Sequence, residues 1–215
     1  MSNSIKNIIF DLGGVLFNID YLKTIDAFKK IGIPNFDSIY SQAKQSNLFD
    51  LFETGKMTEK TFIENLKKQL PPHINNKEII DAWNAMLINL PKDRVELLKK
   101  LKHNYTIVLL SNTNETHINA FEQIILKQNN LKGLEPLFNK VYYSSRIGLR
   151  KPTADCFNYV LENSKFNKNE TVFFDDSIQH IEGSIAVGIK ALHVDKTKTI
   201  LDFFDEDFKL KTISL

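Results

Sequence analysis

The sequence is poor in several kinds of residue, and each scarcity limits what the chain can be. It has one cysteine, Cys156, so an internal disulfide is excluded and a reducing compartment such as the cytoplasm is expected. Arginine occurs only at positions 94, 146 and 150, and the net charge is +2, so a nucleic-acid partner is not expected. No apolar run is long enough to span a bilayer and no secretory leader is recognisable, so we expect no membrane partner either.

Repeats, low-complexity tracts and Gly/Ser-rich linkers are also missing from the sequence, which excludes repeat arrays. Hydrophobic residues make up 42% of the chain and charged residues 25%, as in ordinary globular proteins. A length of 215 residues allows one hydrophobic core, or one core with a small inserted domain.

Short apolar runs rich in β-branched and aromatic residues predict five strands, with helical patterns between most of them. The predicted strands are residues 6–10, 105–110, 140–143, 171–174 and 190–194, and the predicted helices are residues 91–101, 115–127, 152–163 and 178–187. This alternation predicts an α/β fold, a doubly wound and Rossmann-like parallel sheet with helices on both faces.

The stretch from residue 17 to residue 90 has helical patterns and no convincing strand. Its predicted helix starts are capped by Asp20, by Thr58, and by Asn75 with Glu78. We therefore predict an all-helical cap at residues 17–91, inserted after the first strand into a core formed by residues 1–16 and 92–215. Such an insert lies over the carboxyl edge of the sheet, where it can exclude water and select a ligand.

Polar residues follow four of the predicted strands, and parallel strands bring them to one edge of the sheet. They are Asp11, the pair Ser111 and Asn112, Lys151, and the pair Asp175 and Asp176. Three carboxylates together need a cation, and hard oxygen ligands favour Mg²⁺. A hydroxyl, backbone N–H groups and a lysine suit the oxygens of a phosphate group. The set is typical of phosphoryl transfer on a small phosphorylated metabolite.

These segments resemble the four motifs of the haloacid dehalogenase superfamily of hydrolases. The similar stretches are Phe-Asp-Leu-Gly-Gly-Val-Leu at 10–16, Leu-Ser-Asn-Thr-Asn at 110–114, Arg-Lys-Pro at 150–152 and Phe-Phe-Asp-Asp-Ser at 173–177. The resemblance covers residues 7–190 and is closer to the subgroup of bacterial α-D-glucose-1-phosphate phosphatases, whose cap is also similar at residues 52–58. The phosphatase domain of soluble epoxide hydrolases is a more distant likeness.

The resemblance implies a metal site built on one nucleophile. Asp11 matches the residue that forms an aspartyl-phosphate, and its second oxygen matches a Mg²⁺ ligand. The backbone carbonyl of Gly13 and the carboxylate of Asp176 match two further ligands. Asp175 matches a residue that ligates the metal through water or orients a water molecule.

The resemblance also implies a phosphate clamp. Ser111 and a backbone N–H from Asn112 match the groups that hold the phosphate. Lys151 matches the catalytic lysine that neutralises the phosphate and keeps the Asp11 carboxylate ionised.

Gly13 is a departure from the family pattern. Most phosphatases of this superfamily have a second aspartate there, which protonates the leaving group and then activates water. Its absence matters least for an acidic leaving group, so we expect a sugar phosphate such as a hexose 1-phosphate, or an acyl phosphate. Asp20 is a candidate replacement, although helix capping is its preferred interpretation.

Three functions fit the sequence, with a Mg²⁺-dependent phosphatase favoured. The second is a metal-free 2-haloacid dehalogenase, which needs no pair like Asp175 and Asp176 and usually has an aromatic residue in place of Gly13. The third is a non-catalytic or slow-turnover protein that binds a phosphorylated metabolite. The oligomeric state is left open, with a monomer among the options.

Overall fold

The chain is built on one parallel sheet. A computed structural model describes residues 4–39 and 47–211. Within these ranges the strands are β1 (Asn7–Phe10), β2 (Asn18–Ile19), β3 (Leu87–Asn89), β4 (Thr106–Ser111), β5 (Lys140–Tyr143), β6 (Thr171–Asp175) and β7 (Lys190–His193). Five of them form the sheet, all parallel, in the spatial order β5-β4-β1-β6-β7. The predicted doubly wound sheet is confirmed.

The helices of the described ranges fall into two groups, five before β3 and five after it. They are α1 (Tyr21–Ile31), α2 (Phe36–Ile39), α3 (Asn47–Glu53), α4 (Glu59–Lys67), α5 (Asn76–Asn84), α6 (Lys92–Leu101), α7 (Glu115–Asn129), α8 (Ser144–Ile147), α9 (Ala154–Ser164) and α10 (Ile178–Ala186). Short 3-10 helices occupy Glu135–Leu137, Lys168–Glu170 and Ile200–Phe203. The predicted capping residues of α1, α4 and α5 all accept the expected backbone N–H bonds.

The central strand β1 shows how the sheet divides the core. Successive side chains of a strand point to opposite faces. Ile8 and Phe10 belong to one apolar cluster, which α6 and α7 cover, whereas Ile9 belongs to another, which α9 and α10 cover. Both faces of the sheet are therefore buried, and the carboxyl edge is left for ligands.

Helices α1, α3, α4 and α5 enclose a third apolar cluster of their own. Aromatic rings dominate it: Phe49 stacks on Trp83 with ring centroids 5.3 Å apart, and Phe52 stacks on Phe62 at 4.2 Å. Burying such side chains is worth roughly 2–3 kcal/mol each. This separate core supports our prediction that residues 17–91 form a cap on a core of residues 1–16 and 92–215.

One detail of the insert differs from the prediction, because it is not purely helical. Strands β2 and β3 pair antiparallel, with Asn18 opposite Asn89, and the two amide side chains bond at 2.9 Å. Strands of two and three residues are too short to show an alternating pattern in sequence. The ribbon ties the entry and exit of the insert together beside the sheet. No helix in the described ranges has the length and apolarity needed to cross a membrane.

Candidate active site

Asp11 stands where the central strand meets the edge of the sheet. Its backbone N–H donates to the carbonyl of Phe174 at 2.9 Å, and only 7% of the residue is exposed. The chain then turns at Gly14, which has a φ of +79°. A Cβ on Gly14 would lie 2.4 Å from Oδ2 of Asp176, so glycine lets the loops after β1 and β6 approach each other.

Lys151 connects two of the acids. Its fully buried Nζ donates to Oδ1 of Asp11 and to Oδ2 of Asp175, both at 2.6 Å. The side chain of Asn112 fixes the backbone of Lys151 by two bonds: Nδ2 donates to the lysine carbonyl at 2.9 Å, and Oδ1 accepts the lysine N–H at 3.0 Å. The loop after β4 therefore positions the lysine.

The predicted acids meet as one cluster. Asp11, Asp175 and Asp176 each offer a carboxylate oxygen, and these oxygens lie within 4.8 Å of one another. Asp175 is fully buried and also accepts the N–H of Ser177 at 2.8 Å, while Nδ1 of His180 lies 2.9 Å from its Oδ1. Both oxygens of Asp175 thus have partners within the protein, whereas Asp11 and Asp176 line the cleft.

The electrostatics of the cluster show an excess of negative charge. Burial raises the pKa of Asp11 to about 8, and Asp175 and Asp176 add to this rise while Lys151 opposes it. Burial would also raise the pKa of Asp175, but Lys151 and His180 outweigh it and hold that pKa below its usual value. One lysine does not balance three carboxylates, and the set of hard oxygen donors fits Mg²⁺.

Asp11 and Asp176 line a cleft that is partly open to solvent. Its floor comes from the sheet edge and its other walls from the insert and neighbouring loops. Lining residues include Asp11, Gly13, Phe17, Ile19, Glu53, Met86, Leu87, Ser111, Asn112, Arg150 and Asp176. Ser111, the last residue of β4, is 4% exposed. Every residue predicted for the site except the buried Lys151 and Asp175 therefore lines this cleft.

Comparison with known proteins shows the family. The model of the haloacid dehalogenase-like hydrolases matches residues 8–194. The chain belongs to the haloacid dehalogenase-like hydrolases.

Relatives within this hydrolase family include phosphatases. A D-ribitol-5-phosphate phosphatase of Bacteroides thetaiotaomicron is 29% identical over 177 residues, which is 82% of this chain and 85% of the relative. A sesquiterpene phosphatase of Aspergillus oryzae is 26% identical, over 90% of this chain and 92% of the relative. A haloacid dehalogenase family enzyme of B. thetaiotaomicron, solved with magnesium and inorganic phosphate, is 30% identical with a TM-score of 0.82, covering 94% of this chain and 100% of that one. The family resemblance is confirmed, while the narrower likeness to glucose-1-phosphate phosphatases stays a prediction.

The hydrolase site contains side chains whose positions the sequence did not reveal. His180 contacts Asp175 because α10 begins just after β6, although its spacing alone did not indicate this bond. Glu53 reaches the cleft from α3, and its one sequence signal was the similarity of the segment around it to the family cap. Asp20 accepts the N–H of Leu22 at 3.0 Å and caps α1, as its preferred interpretation predicted.

Proposed function

We propose that this hydrolase is a Mg²⁺-dependent phosphatase of a small phosphorylated metabolite, acting through an aspartyl-phosphate. The observation that carries the proposal is the buried Lys151, 2.6 Å from both Asp11 and Asp175, at the base of a cleft that Asp176 also lines. Phosphatases among the relatives support it. Sugar phosphates, such as a hexose 1-phosphate, are the favoured substrates.

Asp11 is the nucleophile in this proposal. One of its oxygens bonds to phosphorus as the bond to the leaving oxygen breaks, and the departing alkoxide takes a proton from water. Water then attacks the aspartyl-phosphate, which releases inorganic phosphate and restores the Asp11 carboxylate. Lys151 opposes the rise in the pKa of Asp11 and so favours its ionised form before attack. The hydroxyl of Ser111 and the N–H of Asn112 hold the phosphoryl oxygens.

Asp11, Asp176 and the carbonyl of Gly13 are the proposed ligands of Mg²⁺. Asp175, whose oxygens bond Lys151, Ser177 and His180, contributes through water or by orienting its neighbours. When bound, the cation offsets the charge of the carboxylates and of the phosphate.

Gly13 sets the chemical limit of the proposal, since it has no side chain that can give the leaving group a proton. Anomeric and acyl phosphates tolerate this because their leaving groups are more acidic than simple alcohols. One relative is named for hydrolysis of D-ribitol 5-phosphate, which is an ester of a primary alcohol. With such a substrate, the leaving group in this chain would take its proton from water. The single, buried Cys156 supports a cytoplasmic location for this activity.

Phosphate release from a panel of sugar and polyol phosphates tests the proposal. Wild type with Mg²⁺ is expected to be active, and Asp11→Asn inactive. Asp81→Asn, which changes an exposed aspartate of α5 that does not line the cleft, is the matched control and retains activity. Equal rates for Asp11→Asn and wild type would overturn the proposal. So would turnover that survives complete chelation of metal by EDTA, or conversion of a 2-haloacid under the same conditions.

A further inference from the structure

A partly buried ion pair forms part of the cleft beside the proposed phosphate site. Glu53, the last residue of α3, is 5% exposed and lines the cleft. Its Oε2 lies 3.1 Å from Nη2 of Arg150, which precedes Lys151 in the chain and lines the same cleft. Arg150 also pairs with Asp50 of α3. The insert thus brings a carboxylate to a guanidinium next to the lysine that contacts Asp11.

The position of Glu53 is held by its backbone. The hydroxyl of Ser144 lies 2.6 Å from the carbonyl oxygen of Glu53 and accepts the N–H of Thr113 at 2.9 Å. Two residues on, Gly55 has a φ of +68°, and a Cβ there would lie 2.1 Å from the carbonyl oxygen of Ser145. These contacts hold Glu53 at a fixed distance from the segment that contains the proposed phosphate-binding residues, Ser111 and Asn112, as a specificity residue requires.

The histidines in the cleft are already bonded within the protein. Nδ1 of His117 lies 3.3 Å from Nδ2 of Asn114, and its Nε2 lies 3.2 Å from the carbonyl of Trp83. Nδ1 of His180 bonds Asp175. Glu53 and Arg150, which pair with each other, also line the cleft and bring a carboxylate and a guanidinium to its wall.

Apolar side chains line another part of the cleft. They include Phe17, Ile19, Met86 and Leu87. A polyhydroxylated carbon chain matches such a cleft, because its hydroxyl groups both donate and accept hydrogen bonds while its C–H groups contact apolar side chains. The chain of an apolar alcohol would instead cover a charged pair without bonding it, which costs binding energy.

We propose that Glu53 and Arg150 bind the hydroxyl groups of a polyol or sugar phosphate and thereby select against phosphate esters of apolar alcohols. This inference rests on the proposed phosphatase function and names the substrate class of the same site. Among the activities of the relatives, it favours that of the ribitol-phosphate enzyme over that of the sesquiterpene enzyme.

Two phosphate esters with the same type of leaving group test the inference. D-ribitol 5-phosphate and pentyl phosphate are both primary alkyl esters of five carbons, and only the first carries hydroxyl groups. Wild type is expected to prefer ribitol 5-phosphate by about 100-fold in kcat/KM, since hydrogen bonds to charged groups give roughly 10- to 100-fold each. Glu53→Gln is expected to lose about tenfold or more on ribitol 5-phosphate, mostly through KM, and less than about twofold on pentyl phosphate.

Two control variants separate binding from structure. Asp50→Asn removes the other partner of Arg150, and Glu59→Gln removes a carboxylate that bonds Thr116 at 2.5 Å; neither residue lines the cleft, and both variants should keep the wild-type preference. Arg150→Lys provides a second variant at the pair and should reduce the preference as Glu53→Gln does.

Each other outcome overturns the inference. Equal losses on both esters in Glu53→Gln would show a structural role, and the same loss in Asp50→Asn would assign the effect to the placement of Arg150. Wild-type enzyme that hydrolyses both esters equally well would remove hydroxyl selection while leaving the phosphatase function intact. If the enzyme released no phosphate from either ester and none from any member of the panel, the phosphatase function would be refuted, and this inference with it.

Discussion

The side chain of Ile19 fills the space next to Gly13. A Cβ built on Gly13 would lie 2.8 Å from Cδ1 of Ile19, and both residues line the cleft beside Asp11. Gly13 is not among the glycines with positive φ, so its backbone would accept another residue. Glycine at this position and isoleucine on β2 are therefore complementary in volume. Where most phosphatases of the family have an acid, this chain has an apolar contact from the insert.

Restoring the acid should require both positions to change. Gly13→Asp alone is expected to destabilise the protein by roughly 1–2 kcal/mol, because Ile19 must move from its present rotamer. Gly13→Asp with Ile19→Ala provides room for the carboxyl group. The double variant should hydrolyse alkyl phosphates at least about tenfold faster than Ile19→Ala, as general acid catalysis allows.

Initial rates on pentyl phosphate and phenyl phosphate measure this effect. The gain should be greater for pentyl phosphate, whose leaving group is less acidic. Ile19→Ala alone controls for the wider cleft. A double variant no faster than this control on either ester would show that position 13 is too far from the leaving oxygen to protonate it.

Lys151 should be essential for stability as well as for turnover. Lys151→Met keeps the length of the side chain but leaves Asp11 and Asp175 buried without their counter-charge. Removing one partner of a buried ion pair costs about 3–5 kcal/mol, which urea unfolding would detect. Adding Asp175→Asn should recover part of this loss, since one of the stranded charges is then gone.

Lys6→Met is the matched control for that substitution. Lys6 pairs with Glu170 at 2.8 Å, but its side chain is 61% exposed. Exposed pairs contribute about 0–1 kcal/mol, so this variant should unfold close to wild type. A similar loss in the two variants would contradict the special position of Lys151.

Gly14 should control the metal site through Asp176. Gly14→Ala adds a methyl group 2.4 Å from Oδ2 of Asp176 and places alanine at a φ of +79°. Displacing a proposed ligand should raise the Mg²⁺ concentration for half-maximal activity by about tenfold or more.

Gly148→Ala is a close control, because Gly148 has a φ of +72° and a Cβ added there would have nothing within 4 Å. It should share the backbone cost of about 1–2 kcal/mol and leave the Mg²⁺ dependence unchanged. Equal Mg²⁺ dependence in both variants would refute the link to Asp176.

The sheet could be predicted from sequence because its signals are local. The strands of the sheet are apolar runs between turns, and helix starts such as Asn75 carry their own capping chemistry. The same local signal predicts Asp11 and Asp176 as site residues, since Asp11 follows such a run and Asp176 stands one place after another. A parallel sheet then brings the ends of distant strands together without further information.

The rest of the site depends on contacts between distant segments, which periodicity does not report. The side chain of Asn112 meets the backbone of Lys151 across 39 positions in the chain, so the sequence does not indicate this contact. The place of Ile19 beside Gly13 depends on the short ribbon of β2 and β3, which is too brief to show a pattern. Glu53 pairs with Arg150 where the turn at Gly55 packs closely against the backbone of Ser145. This is a tertiary contact that periodicity does not report.

His117 should make the protein less stable in mild acid. It is buried against Trp83 with ring centroids 4.7 Å apart, and burial lowers its pKa from 6.5 to about 4. Above pH 6.5 the ring is neutral in the folded and unfolded chains, and stability is complete. As the pH falls towards 4, the unfolded chain takes up a proton that the folded protein excludes, and stability is lost.

Relative to His117→Gln, the unfolding free energy of wild type should fall by about 2 kcal/mol between pH 7 and pH 5. Urea unfolding across this range measures the difference, and His103→Gln, at an exposed histidine, controls for the change of residue type. If the unfolding free energies of wild type and His117→Gln changed in parallel with pH, the prediction would be contradicted. The buried imidazole of His117 would then accept a proton in the folded protein without loss of stability.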